Sequence, residues 1–193
     1  WPILSLAGVE ADDVIGTLAR RAAEQGFDVV ISTGDKDMAQ LVGPRVTLVN
    51  TMSNETLDEA GVLAKFGVPP ERIVDYLTLV GDAVDNVPGV SKCGPKTAVK
   101  WLAQYGSLDG VIAAAPDIGG VVGENLRQAL DFLPLGRKLV TVACDLSLVP
   151  PLAELAPRPA ERERLVELFT RYEMKSWLRS LGDGSEAPDA NTH

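Results

Sequence analysis

The sequence predicts an α/β fold built on a parallel sheet with helices on both faces, joined to a smaller region of short helices. Three observations carry this expectation. Helix and strand signals alternate through the first half of the chain, a short β-branched run bounded by glycine reads as a buried strand, and beyond Asp85 short helices are separated by Gly and Pro.

Taken in order, Val14, Ile15, Leu18, Ala19 and Ala22 recur at helical spacing between Asp12 and Gln25, and Gly26 supplies a stop. Asp28 to Ser32 follows as a strand around Val29-Val30-Ile31, so Asp35 and Asp37 fall just past its carboxyl end. Sheets of this kind place their functional crevice there. A short helix at Met38–Leu41, a strand at Val46–Asn50, and helices near Asp58–Phe66 and Ile73–Val80 complete the first half. Helices are then predicted at Lys96–Tyr105, Leu108–Ala114 and Val122–Phe132, followed by a β-like stretch, Leu139–Asp145, that returns to the sheet or lies at its edge. Pro150, Pro151, Pro157 and Pro159 break the chain. A last helix over Ala160–Leu181 puts Leu165, Leu168, Phe169 and Tyr172 on one stripe, continued by Met174, Trp177, Leu178 and Leu181, and Gly182–His193 reads as a flexible linker.

Composition narrows the chemistry. The 193 residues, 46% of them hydrophobic, can fill a core, no apolar run approaches the roughly 20 residues needed to span a bilayer, and no basic leader precedes an apolar stretch. With only Cys93 and Cys144, a disulfide framework or cysteine-rich zinc site is not expected, and a reducing cytoplasm is the default. The single histidine is His193, which removes Ser-His-Asp and Cys-His mechanisms and leaves carboxylates, water and metal.

Carboxylates are where the chain is richest. Glu10, Asp12 and Asp13, then Asp35 and Asp37, then Asp82 and Asp85 form three clusters at the ends of different elements. Each cluster alone has a plain structural reading as helix-start or turn residues. Together in a small domain they would repel without cations, which points to a divalent-metal site. The net charge of −9 is uneven: residues 1–85 carry a balance of −8, residues 86–150 a balance of +1. The more basic stretch holds the hairpin Gly89-Val90-Ser91-Lys92-Cys93-Gly94-Pro95-Lys96-Thr97-Ala98. Glycines let such a turn approach a phosphate, and the helix starting near Pro95 offers free N–H groups and the positive end of its dipole. Lys92, Lys96 and Lys100 add charge and Thr97 a donor, whereas Trp101, Leu102 and Tyr105 have the spacing of core residues. An ordinary helix-turn-helix with solvated lysines is the competing reading.

Gly8 to Asp13, Ser32 to Met38 and Gly81 to Val90 resemble, in order, motifs of the 5′-nuclease domain of bacterial DNA polymerase I, a relative of the flap endonucleases. The resemblance runs from about Leu6 to Leu178. It implies a PIN-like, Rossmann-like α/β core over residues 1–85, a helix-hairpin-helix subdomain with a returning strand over 86–150, a helix over 151–181 packed on the core, and a linker over 182–193. Glu10 and Asp12 would hold one metal, with Asp12 also reaching the second. Asp35, Asp37, Asp82 and Asp85 would surround that second metal, with Asp13 accessory. The implied catalytic residues are Glu10, Asp12, Asp35 and Asp37. Gly89, Val90, Lys92, Gly94, Lys96, Thr97 and Lys100 would hold the duplex backbone, with K⁺ at the hairpin.

The implied activity is metal-dependent hydrolysis of DNA phosphodiesters with two Mg²⁺ or Mn²⁺ ions about 4 Å apart. Substrates would be DNA with 5′ flaps, nicks or duplex ends. The implied protein is monomeric, in the bacterial cytoplasm, with polymerase domains on the same chain. Two departures stand out. Lys92 replaces a usual glycine. The family's first strand, with an essential aspartate, and its basic arch have no counterpart, so the chain reads as the carboxyl-terminal two-thirds of the domain, inactive on its own. Two alternatives stay open. One is a DNA-binding module without catalysis. The other is a haloacid-dehalogenase-type phosphatase, against which Met38-Ala39 stands where Thr or Val is expected after the Asp-x-Asp loop.

Overall fold

Helix α1 (Ala11–Glu24) starts after Glu10, whose extended backbone makes it the N-cap, and Asp12 and Asp13 occupy its first turn. Carboxylates there face the positive end of the helix dipole. The chain turns at Gly26, with φ of 87°, and enters β1 (Val29–Ser32), which pairs in parallel with β2 (Val46–Asn50) from Val29 opposite Val46 to Ser32 opposite Val49. Between them a 3₁₀ turn, Asp37–Leu41, buries Met38 and Ala39 completely. This computed structural model describes residues 2–147 and 150–182.

A third strand, β3 (Glu55–Leu57), returns antiparallel to β2 with Leu57 opposite Leu48. The sheet, ordered β1-β2-β3, keeps the expected parallel pair β1–β2 and adds an antiparallel edge strand. The cause is local. Asn50 Oδ1 accepts the N–H groups of Met52 and Ser53, Asn54 takes φ of 54°, and the chain reverses at once.

Helix α2 (Glu59–Phe66) is capped by Asp58, whose Oδ1 accepts the Gly61 N–H at 2.7 Å, and stops at Gly67. Helix α3 (Ile73–Val80) is the buried centre: Ile73, Leu77, Thr78 and Leu79 are almost wholly inaccessible. Around it come α4 (Pro95–Tyr105), α5 (Leu108–Ala113), α6 (Gly120–Ala129) and α7 (Leu133–Val140), and α3 packs on α4, α5 and α7. Trp101 and Leu102 are core residues, as their spacing indicates. Residues 5–152 form one compact unit.

The predicted strand over Leu139–Asp145 does not form. Leu139 and Val140 end α7, and residues 141–146 follow without regular structure. Side chains of α1 take the place of a strand partner. Asp13 Oδ1 accepts the Ala143 N–H at 2.7 Å, Thr17 Oγ1 accepts the Leu146 N–H at 3.2 Å, and Arg21 donates to the Leu146 carbonyl at 2.6 Å. These residues recur every four positions, on one helix face. Gly16 shares that face, and a Cβ there would lie 2.6 Å from Val142 Cγ1.

The second compact unit takes its described residues from 2–4 and 153–182. It holds α8 (Arg162–Arg171) and α9 (Lys175–Gly182), where a single helix was expected. Glu173 breaks it with φ of 53°: Met174 N–H bonds the Phe169 carbonyl and Glu173 N–H the Thr170 carbonyl, a Schellman stop without glycine. The rings of Phe169 and Trp177 then meet at 5.7 Å. The predicted linker falls almost entirely on residues 183–193, outside those described.

Buried Asp75 ties α3 to α5 and α7. Its Oδ2 accepts the Leu108 N–H at 3.1 Å, and Arg137 reaches its Oδ1 at 3.6 Å while pairing with Asp109 at 3.0 Å. Asp75→Ala strands the Leu108 N–H and removes one partner of Arg137, so a loss of roughly 2–4 kcal/mol is expected. Urea unfolding should show a lower midpoint at unchanged slope.

Candidate metal centre and nucleic-acid interface

Helix α3 ends at Gly81, and the next residues close on themselves. Asp82 and Val87 exchange N–H···O bonds of 2.7 Å each, and Asp82 Oδ1 accepts the Val84 N–H at 2.8 Å. This loop fixes Asp82, which is 3% exposed, and carries Asp85 at the surface. From the other side, the 3₁₀ turn after β1 brings in Asp37, 8% exposed. Gln40 braces that turn. Its Nε2 donates to the carbonyls of Asp37 and Val140, each at 2.9 Å, and its Oε1 accepts the Val142 N–H at 3.0 Å. One carboxylate oxygen each from Asp37, Asp82 and Asp85 consequently lie within 4.8 Å of one another.

Electrostatics at this cluster are unbalanced. Burial, then the charges of Asp35 and Asp82, push the Asp37 carboxyl up to about 6. Its Oδ1 is buried without a hydrogen-bond partner. Burial also acts to raise Asp82, but the Lys36 ammonium, with Nζ at 2.7 Å, and the Val84 N–H outweigh it and hold Asp82 below the usual range. Asp12 is raised, by burial first and then by Asp35, Glu10, Asp13 and Asp85, so the start of α1 shares the field of the cluster. Crowded oxygen donors with one buried lone pair unmet fit a hard divalent cation such as Mg²⁺ or Mn²⁺.

The structure sorts the candidate residues. Asp37, Asp82 and Asp85 come together, and Glu10, Asp12 and Asp35 contribute charge nearby. Asp35 Oδ1 also accepts the Asp37 N–H at 2.9 Å, so one oxygen serves the turn. Asp13, expected as an accessory metal ligand, turns one oxygen to the Ala143 N–H and anchors residues 141–146. Lys36 and Gln40 were not singled out from the sequence. Lys36 had a signal, lying between two of the aspartates, whereas the role of Gln40 depends on partners about a hundred residues away.

The hairpin adjoins this site through two glycines. A Cβ on Gly81 would lie 2.5 Å from the Val87 carbonyl oxygen, and one on Gly89 would lie 2.5 Å from the Gly81 nitrogen. Both have positive φ, so glycine is required twice over. Val90 is buried and donates its N–H to the Leu79 carbonyl at 2.8 Å. Gly89 and Val90, expected in the phosphate grip, thus anchor the hairpin from inside. Asn125 braces its tip by donating to the Ser91 carbonyl at 2.8 Å. Lys92 occupies the left-handed region with φ of 62°, which matches a position where glycine is usual. Gly94 caps α4 and Pro95 opens it, Thr97 is half-buried, and Lys92, Lys96 and Lys100 are exposed without an ion pair among the described residues.

The fold thus sets a carboxylate cluster, with Asp37 and Asp82 buried and Asp85 at the surface, beside a helix-hairpin. Residues 1–67 match the family model described as 5′-3′ exonuclease, N-terminal resolvase-like domain, and residues 68–163 the model described as 5′-3′ exonuclease, C-terminal SAM fold. The chain belongs to the 5′-3′ exonuclease family. It is 47% identical to a DNA polymerase I of Pseudomonas aeruginosa, over 93% of this chain and 21% of that protein. It is 39% identical to a 5′-3′ exonuclease of Aquifex aeolicus, over 93% of this chain and 61% of that protein. The chain therefore spans about a fifth of the polymerase relative and three fifths of the exonuclease. Among solved structures it resembles T5 5′-exonuclease with bound divalent zinc ions, at a TM-score of 0.69 and 17% identity, over 96% of this chain and 64% of that one. A T5 flap endonuclease complex with DNA and metal ions gives 0.67 and 17%, over 95% and 62%. Membership of that family, matched over residues 1–163, sets the phosphatase alternative aside. No described helix is long and apolar enough to cross a membrane.

Cation binding requires Asp37 without its proton. Its folded pKa of about 6 exceeds the ordinary 3.8, so in metal-free protein its contribution to stability is full below about pH 4 and is lost as pH rises through 6. A bound cation reverses that dependence. Mn²⁺ affinity should therefore weaken by up to about tenfold per pH unit below 6, measured by titration at pH 5, 6 and 7. An affinity that stays flat across this range contradicts the assignment.

Proposed function

We propose that this chain is part of a structure-selective 5′-nuclease that hydrolyses phosphodiesters in DNA bearing 5′ flaps, nicks or duplex ends. The observation that carries the reading is the cluster of Asp37, Asp82 and Asp85, joined through Gly81 and Gly89 to the hairpin. Asp37, Asp82 and Asp85, with Asp35 beside them, would hold one Mg²⁺ or Mn²⁺, and Glu10 and Asp12 would serve the other. Divalent ions supply there a Lewis acid that activates water and offsets charge building on the phosphate and the leaving oxygen. The chain's own residues do the rest. Lys92, Lys96 and Lys100 meet backbone phosphates, the Lys96 N–H at the start of α4 adds a donor, and K⁺ is the monovalent partner of the hairpin. Grip through phosphates gives selection by DNA structure in place of sequence. Similarity to a DNA polymerase I about five times as long supports polymerase domains on the same polypeptide, and a monomer in the bacterial cytoplasm is the accompanying expectation. A second reading is DNA binding without catalysis, for which the exposed Lys92, Lys96 and Lys100 around the start of α4 would suffice.

A labelled 5′-flap DNA tests both, with binding scored in Ca²⁺ and cleavage in Mg²⁺ against a chelator control. Nuclease function predicts metal-dependent cleavage that Asp37→Asn reduces at least about a hundredfold. Binding without cleavage supports the second reading, and absence of binding at low salt contradicts both. Replacing Lys96 and Lys100 by Ala should lower the slope of log affinity against log salt by about 2 units.

A further inference from the structure

Lys36 stands between Asp35 and Asp37 in sequence, and its ammonium enters the cluster of Asp37, Asp82 and Asp85 in space. Its Nζ lies 2.7 Å from Asp82 Oδ2, with the lysine side chain 44% exposed and the aspartate 3%. The stem therefore reaches in from solvent, and the charge is delivered to the most buried carboxylate of the three. The other oxygen, Oδ1, accepts the Val84 N–H at 2.8 Å. Both Asp82 oxygens are engaged, one by backbone fixed in a closed loop and the other by a long side chain that can swing away. No other described cation pairs with Asp37, Asp82 or Asp85 within 4.0 Å.

We propose that Lys36 is a place-holding cation, which neutralises Asp82 in the metal-free protein and yields Asp82 Oδ2 to a divalent ion when one binds. The inference rests on reading Asp37, Asp82 and Asp85 as metal ligands. An ammonium and a divalent cation on one carboxylate oxygen repel each other, and the divalent ion draws on all three carboxylates where the ammonium pairs with one. The freed ammonium remains tethered at the mouth of the site. The arrangement lets the fold hold crowded carboxylates without metal, at the cost of metal affinity.

Mn²⁺ binding to the 193-residue chain, followed by the electron paramagnetic resonance of free Mn²⁺, tests the exchange in wild type, Lys36→Met, Lys36→Arg and Asp37→Asn. Lys36→Met should bind Mn²⁺ about three- to tenfold more tightly and melt at a lower temperature in chelator, which widens the Mn²⁺-dependent rise in Tm. Lys36→Arg, with its charge kept, should stay near wild type. Unchanged or weaker binding by Lys36→Met overturns the exchange. If Asp37→Asn loses binding in the same series, the metal site itself stands. If wild type and Asp37→Asn bind alike, the site reading fails and the exchange with it. Wild-type protein gives a measurement free of folding defects: Lys36 should react faster with an amine acylating reagent in Mn²⁺ than in chelator, read by peptide mass spectrometry, and equal or slower reaction overturns the proposal.

Discussion

Three carboxylates with oxygens within 4.8 Å repel one another, and the fold around them is arranged to keep them there. Asp37 is held by a 3₁₀ turn that Gln40 ties to residues 140–142, and Asp82 by a loop closed through two bonds to Val87. Burial raises the cost of charge on Asp37 and Asp82, and Asp37 Oδ1 finds no donor among the described residues. Crowded oxygen donors with one buried lone pair unmet are the donor set that suits a hard divalent cation. Lys36 supplies one positive charge from within the chain.

The same constraint reaches the hairpin. The backbones at Gly81 and Gly89 cross so closely that either Cβ would collide with the other strand of chain. The residue after Gly81 is a cluster aspartate and the residue after Gly89 is the buried anchor of the hairpin. A phosphate held near Lys92, Lys96 and the start of α4 would thereby be in register with the carboxylates, since no flexible linker separates them. In the reading proposed above, this crossing sets which phosphodiester along a bound duplex reaches the metal centre.

Much of this was legible from residues alone. Helical spacing and glycine stops located α1, α3 and α4, and the β-branched run located β1. Density of carboxylates and their positions past element ends located the cluster. The remainder depended on tertiary partners. Residues 139–145 have strand-like composition, but α7 claims the first two, and Asp13, Thr17 and Arg21 hold the following segment with side chains where a strand would use backbone. β3 is too short to show a period, and its turn is made by Asn50 and Asn54. The stop between α8 and α9 uses Glu173 in a conformation that glycine normally marks. Division of labour among the aspartates was equally hidden, since only the fold shows that Asp13 faces Ala143 while Asp82 faces Lys36.

The most direct test of the central claim is anomalous diffraction from crystals grown with Mn²⁺. The expected result is a manganese peak bonded to carboxylate oxygens of Asp37, Asp82 and Asp85, with Lys36 Nζ withdrawn from Asp82. A peak elsewhere, or none at saturating Mn²⁺ with the Lys36–Asp82 pair intact, would contradict it.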